Sequence, residues 1–212
     1  MEKTEQISRW VGDFGNLYTN RNNRTLEEMD EKYIENYGIT RTHMNKEFIS
    51  DMDRDIRILE VGCNIANQLL NLQRMGFTDL WGIEISVYAI DIAKNKTQNI
   101  NVVKSSALNI PFKDSFFDLV FTSGVLIHIN PEDLPKAMDE IYRVSKKYIW
   151  GFEYFSEKEE EIEYRGNKNL LWRNNFMKLY LDRYPNLKVV KEKKFKYTQN
   201  DNKDNMFLLE KR

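Results

Sequence analysis

The sequence has 212 residues, 41% of them hydrophobic and 31% charged, with a formal net charge of −1. That length suits one domain with its own core, and the near-neutral balance excludes a bulk attraction to nucleic acid or acidic membrane. The single cysteine, Cys63, excludes an intramolecular disulfide, which fits a reducing cytoplasm. The start, MEKTEQISRW, lacks the apolar stretch of a signal peptide, and no apolar run reaches the roughly 18 residues of a membrane span. A soluble cytoplasmic protein is expected, with the basic run Lys188 to Lys196 as a solvated face.

Ahead of the first apolar run, Leu26 to Tyr37 and Thr42 to Met52 suggest two helices. From Ile56 onward, β-branched runs alternate with helical patterns, the mark of a parallel sheet. Ile56 to Val61 reads as strand one, and Ile65 to Met75 as a helix stopped by Gly76. Leu80 to Ile85 reads as strand two, and Val87 to Asn95 as a helix with Ser86 as its N-cap. Ile100 to Lys104 is strand three and Phe116 to Ser123 strand four. Pro131 and Glu132 open a helix running to about Ser145, and Lys147 to Tyr154 is strand five. Glu157 to Glu163 reads as a solvated segment, and Leu170 to Tyr184 as a helix stopped by Pro185. A closing antiparallel pair completes the chain.

The turn after strand one is Glu60-Val61-Gly62-Cys63-Asn64-Ile65-Ala66. A strand, a glycine turn and a helix start bring backbone amides to one point, suited to a polar ligand. A dinucleotide pyrophosphate needs close backbone approach at the second glycine, and Asn64 stands there. A cofactor without phosphates is less demanding. Glu60 can serve an ammonium group directly or through water, and a side chain at Gly62 would fill the space of the cofactor's tail. Glu84, at the tip of strand two beside Ile85, can accept two hydrogen bonds from ribose hydroxyls. Ser106 and the Ala107 amide, after strand three, are the candidates for an adenine ring, and Ser123 ends strand four on the same rim.

The ordered set EVGCNIA, GIEIS and LNIPFKDSFFDLVFTSGVLIHI resembles the class I S-adenosylmethionine-dependent methyltransferases over roughly residues 56 to 150. The resemblance implies an α/β Rossmann-like fold, a seven-stranded mostly parallel sheet with the last strand antiparallel, and helices on both faces. It implies S-adenosylmethionine as cofactor, S-adenosylhomocysteine as product, and no metal. A narrower resemblance, to the pseudaminic-acid-biosynthesis-associated methylases, rests on Trp10 to Gly15 with Tyr18, Arg21 and Asn22. IHINPE, IYRVSKKYI, Glu153-Tyr154, Tyr164-Arg165-Gly166 and FLLEK also match that family. Two departures stand out: Ala66 replaces a glycine, and Asn175 stands where an Asp is expected. The implied acceptor is a sugar, an activated sugar or a small substituent on a surface glycan.

On this reading residues 1–52 form an N-terminal helical lid segment and residues 53–212 the methyltransferase domain, one structural domain in all, as monomer or homodimer. Tyr18 and Arg41 are expected to reach the cofactor carboxylate, and Arg21 an anionic acceptor. The expected catalytic residues are His128, Glu153 and Tyr154. His128 is either a general base near the methyl group or a side chain packed under the following helix. Glu153 either orients His128, binds acceptor hydroxyls, or is simply satisfied at its strand end. His43 is expected to be structural. Rival readings are a short-chain dehydrogenase built on Tyr142-x-x-x-Lys146, a nucleic-acid methyltransferase, and a non-catalytic module of the same fold. The first lacks the usual serine, and the second lacks both an aromatic after Asn130-Pro131 and a basic excess.

Overall fold

A computed structural model describes residues 4–212. Four helices precede the sheet: α1 (Glu5–Trp10), α2 (Asp13–Asn22), α3 (Leu26–Tyr37) and α4 (Arg41–Ile49). The last two lie close to the expected spans, whereas α1 and α2 are not evident from the sequence. They cross tightly, because a Cβ on Gly15 would lie 1.8 Å from the Trp10 carbonyl oxygen. The alternating part then runs β1 (Arg57–Val61), α5 (Asn67–Arg74), β2 (Asp79–Glu84), α6 (Val87–Lys96), β3 (Ile100–Lys104), β4 (Phe117–Ser123), α7 (Leu134–Val144) and β5 (Ser145–Tyr154). After it come β6 (Glu160–Glu161), β7 (Trp172–Arg173), α8 (Phe176–Arg183), β8 (Leu187–Lys196) and β9 (Lys203–Lys211).

The main sheet has seven strands in the order β3-β2-β1-β4-β5-β9-β8. Strands β1 to β5 are parallel, and β9 runs antiparallel between β5 and β8. Both faces are covered, which is why the central strands read as continuous apolar runs rather than alternations. Met44, Phe48 and Ile49 of α4 join Leu69 and Leu72 of α5 on one side. Leu134, Met138 and Ile141 of α7 join Phe176 and Tyr180 of α8 on the other. The strand order reverses between β1 and its neighbours β2 and β4. In such a sheet a crevice opens beyond the carboxyl ends of the strands at that reversal.

Three element boundaries differ from the sequence reading. Helix α5 starts at Asn67 rather than Ile65 because Asn64 (φ 47°) and Ala66 (φ 64°) are left-handed. Helix α7 starts at Leu134, after a turn in which the Leu134 N–H donates to the Asn130 carbonyl. Leu170 to Arg173 is not helical: β7 pairs with β6, placing Trp172 opposite Glu161. Consequently the acidic stretch from Glu157 is part of a folded flap. Asn175 caps α8, its side chain accepting the Lys178 N–H at 3.1 Å. An N-cap is served as well by Asn as by Asp, so this departure leaves the helix start intact. The basic run sits on the edge strand β8, where Lys193 pairs with Glu47 and Lys196 with Asp201. No helix among the described residues is long and apolar enough to cross a membrane.

Candidate active site

A cavity of about 280 Å³ opens at the carboxyl ends of β1, β2 and β4 and is roofed by α1 and α2. Of the residues singled out in the sequence, Tyr18, Glu60, Gly62, Asn64, Glu84, Ile85, Ser106, Ala107, Ser123 and His128 line it. Arg41, Glu153 and Tyr154 do not.

The turn after β1 is built on left-handed backbone at Gly62 (φ 71°), Asn64 and Ala66. It is pinned to β2 by the Gly62 and Cys63 N–H groups, both donating to the Ile83 carbonyl at 2.9 and 3.0 Å. A Cβ on Gly62 would lie 2.8 Å from Val125 Cγ2. A glycine is therefore required here by the Val125 side chain and by the left-handed backbone, whatever fills the cavity. Asn64 fills the second-glycine position by design of the lid: its side-chain amide donates to Thr19 Oγ1 on α2 at 2.9 Å.

Glu84 is buried, and its carboxylate accepts backbone N–H groups from Asn64, Ile85 and Ser86 at 2.8 to 2.9 Å. Burial pushes its carboxyl upward, and those N–H groups pull the other way. Oε1 takes two of the three bonds and Oε2 one. With two lone pairs per oxygen, one acceptor position remains on Oε2 rather than the two anticipated. Glu60 is 3% exposed, and its Oε2 has no hydrogen-bond partner. Burial raises its carboxyl well above the usual range, Glu84 adds to this, and Arg41 opposes it. On the adenine side, Ser106 Oγ accepts the Leu108 N–H, and Ile7 of α1 packs near Leu108 with Ile85, Ala107 and Ile129.

His128 lies on a short 3₁₀ turn, Leu126–His128, just after β4. Its Nδ1 is 2.6 Å from the Leu170 carbonyl. A carbonyl only accepts, so Nδ1 carries the proton and Nε2 keeps its lone pair. Burial lowers the imidazole to about 4, so the ring is neutral at physiological pH. Trp10 and Tyr164 flank the ring at centroid distances of 4.6 and 5.3 Å. The His128 ring is thus packed between Trp10 and Tyr164 and also lines the cavity.

Glu153 lies outside the cavity lining. It is 1% exposed and turned into the β4 loop, where both carboxylate oxygens face the Val125 N–H at 3.1 and 3.2 Å. Burial raises its carboxyl to about 7. Its connection with His128 runs through the backbone of the turn that carries the ring. Tyr154 also lies outside the lining, beside Arg173 and Tyr197. Arg41 is wholly buried beneath the site. Arg21 packs over Tyr18, with one guanidinium nitrogen buried and unpartnered. His43 faces Glu47 on α4, outside the cavity.

The sequence missed several lining residues: Thr19, Arg24, Met29, Tyr33, Gln68 and Asp133. They come from helices and loops remote in the chain, and no motif marks them. The dehydrogenase pair is not assembled, since the Tyr142 hydroxyl donates to Asn186 and Lys146 pairs with Asp118.

The donor set suits S-adenosylmethionine. An ammonium needs a buried acceptor, which the free Glu60 oxygen supplies, and a ribose hydroxyl needs the open position on Glu84. The Asn64 side chain stands where a pyrophosphate would require bare backbone. A family model described as "Methyltransferase domain" matches residues 59–148. A 2-phytyl-1,4-naphtoquinone methyltransferase of Nostoc is 32% identical over 96 residues, 42% of this chain and 41% of that one. An uncharacterized methyltransferase of Alkaliphilus oremlandii is 27% identical over 161 residues, covering 72% of this chain and 73% of the other. The chain spans about half the length of several curated relatives that it matches, 53%, 41% and 51%. Among solved structures, Burkholderia thailandensis 1,6-didemethyltoxoflavin-N1-methyltransferase, with 1,6-didemethyltoxoflavin and S-adenosylhomocysteine bound, superposes with a TM-score of 0.72. That likeness covers 100% of this chain and 93% of the other at 12% identity. Residues 59–148 thus match a methyltransferase-domain model, and the fold is that of solved S-adenosylmethionine-dependent methyltransferases.

Proposed function

We propose that this protein transfers a methyl group from S-adenosylmethionine to a small-molecule acceptor, held between the cofactor cavity and His128. The observation that carries this reading is that Glu60, Glu84, Ser106 and the His128 ring all line one cavity. S-adenosylmethionine, when bound, supplies an already activated methyl group, so most of the rate comes from holding the acceptor in line. Glu60 meets the ammonium, Glu84 one ribose hydroxyl, and Ser106 and Ala107 the adenine edge. His128 Nε2 accepts the acceptor's proton, and the Leu170 carbonyl fixes the ring's tautomer.

We further propose a sugar, an activated sugar or a small glycan substituent as the acceptor. Support comes from the N-terminal segment of the narrower resemblance, because Trp10 and Tyr18 from that segment line the cavity. A planar ring acceptor is the second reading. It is favoured by the Trp10 and Tyr164 rings around His128, with Tyr18 against Trp10, and by the quinone and toxoflavin substrates named for relatives. A mass-spectrometric screen for a 14-dalton gain across sugars, sugar nucleotides and reduced quinones separates the two. For the acceptor found, His128→Ala should lower turnover by about 10² to 10⁴ while leaving cofactor affinity nearly unchanged. Undiminished turnover in a stable His128→Ala protein would exclude the base role.

A further inference from the structure

Glu153, near the end of β5, carries a carboxylate in a residue only 1% exposed. Such a group is costly to bury unless its oxygens find donors. Its donors come from one place. Both oxygens face the Val125 N–H, at 3.1 and 3.2 Å, and the Leu126 and Ile127 N–H groups and the Thr122 hydroxyl face it as well. Those three residues lead straight into His128. Val125 is the N-cap of the 3₁₀ turn Leu126–His128, and its carbonyl accepts the His128 N–H at 2.9 Å. The turn has no side-chain cap of its own. A carboxylate on the first N–H groups of a turn is a strong, charge-assisted cap, and here it is supplied from the neighbouring strand. The same turn is fitted at two further points. The Val125 side chain fills the space beside Gly62 of the β1 turn, and the Leu170 carbonyl lies 2.6 Å from His128 Nδ1.

We propose that Glu153 is a positioning residue for His128: its carboxylate fixes the turn that carries the ring, so that Nδ1–H stays on the Leu170 carbonyl and the Nε2 lone pair stays available. The inference rests on the proposed role of His128 and on neither the acceptor nor the cofactor. A neutral imidazole has two tautomers, and the bond made by one nitrogen selects which of them is present. The Leu170 bond is short and directional, so a small displacement of the turn breaks it. The Glu153 side chain reaches the ring only through backbone, so an effect on the ring must pass through the turn. A glutamine at this position has the same shape but offers an NH₂ group where the carboxylate offers a second acceptor. Donor would then face donor beneath the turn.

Nitrogen-15 NMR of the histidine rings at pH 8, above the Glu153 carboxyl at about 7, tests this. The chain has two histidines, and His43, exposed on α4, serves as the internal reference. Wild-type His128 should show the Nδ1–H form alone. In Glu153→Gln about a fifth or more of His128 should convert to the Nε2–H form, as the Leu170 bond loosens. Its titration midpoint should also rise from about 4 towards the ordinary 6.5 as the ring gains access to water. The His43 signals should not move. Should Glu153→Gln fail to fold, Thr122→Val, which removes the hydroxyl facing the carboxylate, should give the same change at smaller size. A His128 ring that keeps its wild-type form and midpoint overturns the inference, whatever happens to the melting temperature, and leaves Glu153 a support of the loop alone. Undiminished turnover in His128→Ala would instead overturn the base reading, a result distinct from an unmoved ring.

Discussion

Ala66 sits fully buried at the start of α5 with φ 64°, where an L side chain is strained by about 1 to 2 kcal/mol. The sequence flagged this position only as a missing glycine, and the left-handed backbone supplies the reason a glycine belongs there. Ala66→Gly should therefore raise the melting temperature, offset in part by the greater freedom of glycine in the unfolded chain. A melting temperature that falls would show that the methyl group's packing outweighs the strain. Glu153 behaves in the opposite sense. Its folded-state carboxyl is raised from 4.5 to about 7 by burial. The folded protein thus binds a proton that the unfolded chain releases, and stability falls as pH rises from about 4.5 to 7. The contribution is at most about 3 kcal/mol. Denaturant titrations at pH 5 and pH 8 should show Glu153→Gln losing less stability across that range than wild type. An equal loss in both proteins would mean that Glu153 titrates normally.

At the scale of elements, what the sequence revealed followed burial. Strand β1 is apolar on both faces, with Ile58, Leu59 and Val61 all at 0% exposure, so a short β-branched run identified it. The helices α1 and α2 bury a different kind of residue: Gln6, Gly15 and Thr19 are inside, while Leu17 is 58% exposed. No apolar stripe marks these helices: α1 gives only Ile7 to a small apolar cluster, and α2 is held by polar contacts to the site. Those contacts make α2 a latched lid. Asn64 Nδ2 donates to Thr19 Oγ1, and Asn67 Nδ2 donates to the Asn22 carbonyl, each at 2.9 Å. The places of Arg41 and Glu153 were hidden for a related reason, since each depends on partners distant in the chain. Thr19→Val keeps the shape of the buried side chain and removes the acceptor for Asn64. Losing a buried hydrogen bond of about 1 to 2 kcal/mol should speed S-adenosylhomocysteine dissociation roughly 5- to 30-fold in stopped-flow measurements. An unchanged off-rate would show that the latch does not limit opening.

For the whole molecule, cofactor and fold are coupled because the cavity sits where the two halves of the sheet diverge. Its walls come from α1, α2, α3 and the ends of β1, β2 and β4. A ligand that fills it bridges the lid to the sheet and should stabilise the chain as a unit. Saturation at 100 times the dissociation constant adds about 2.7 kcal/mol. For a domain of this size each kcal/mol moves the melting temperature by about 2 to 4 °C, so S-adenosylhomocysteine should raise it by about 5 to 10 °C. NAD should not, because the Asn64 side chain, fixed to Thr19, stands in the path of a pyrophosphate. Glu60→Gln should abolish most of the gain while leaving the unliganded melting temperature close to wild type, since Glu60 Oε2 bonds to nothing in the free protein. A comparable shift with NAD, or a full shift retained by Glu60→Gln, would place the cofactor elsewhere on the molecule.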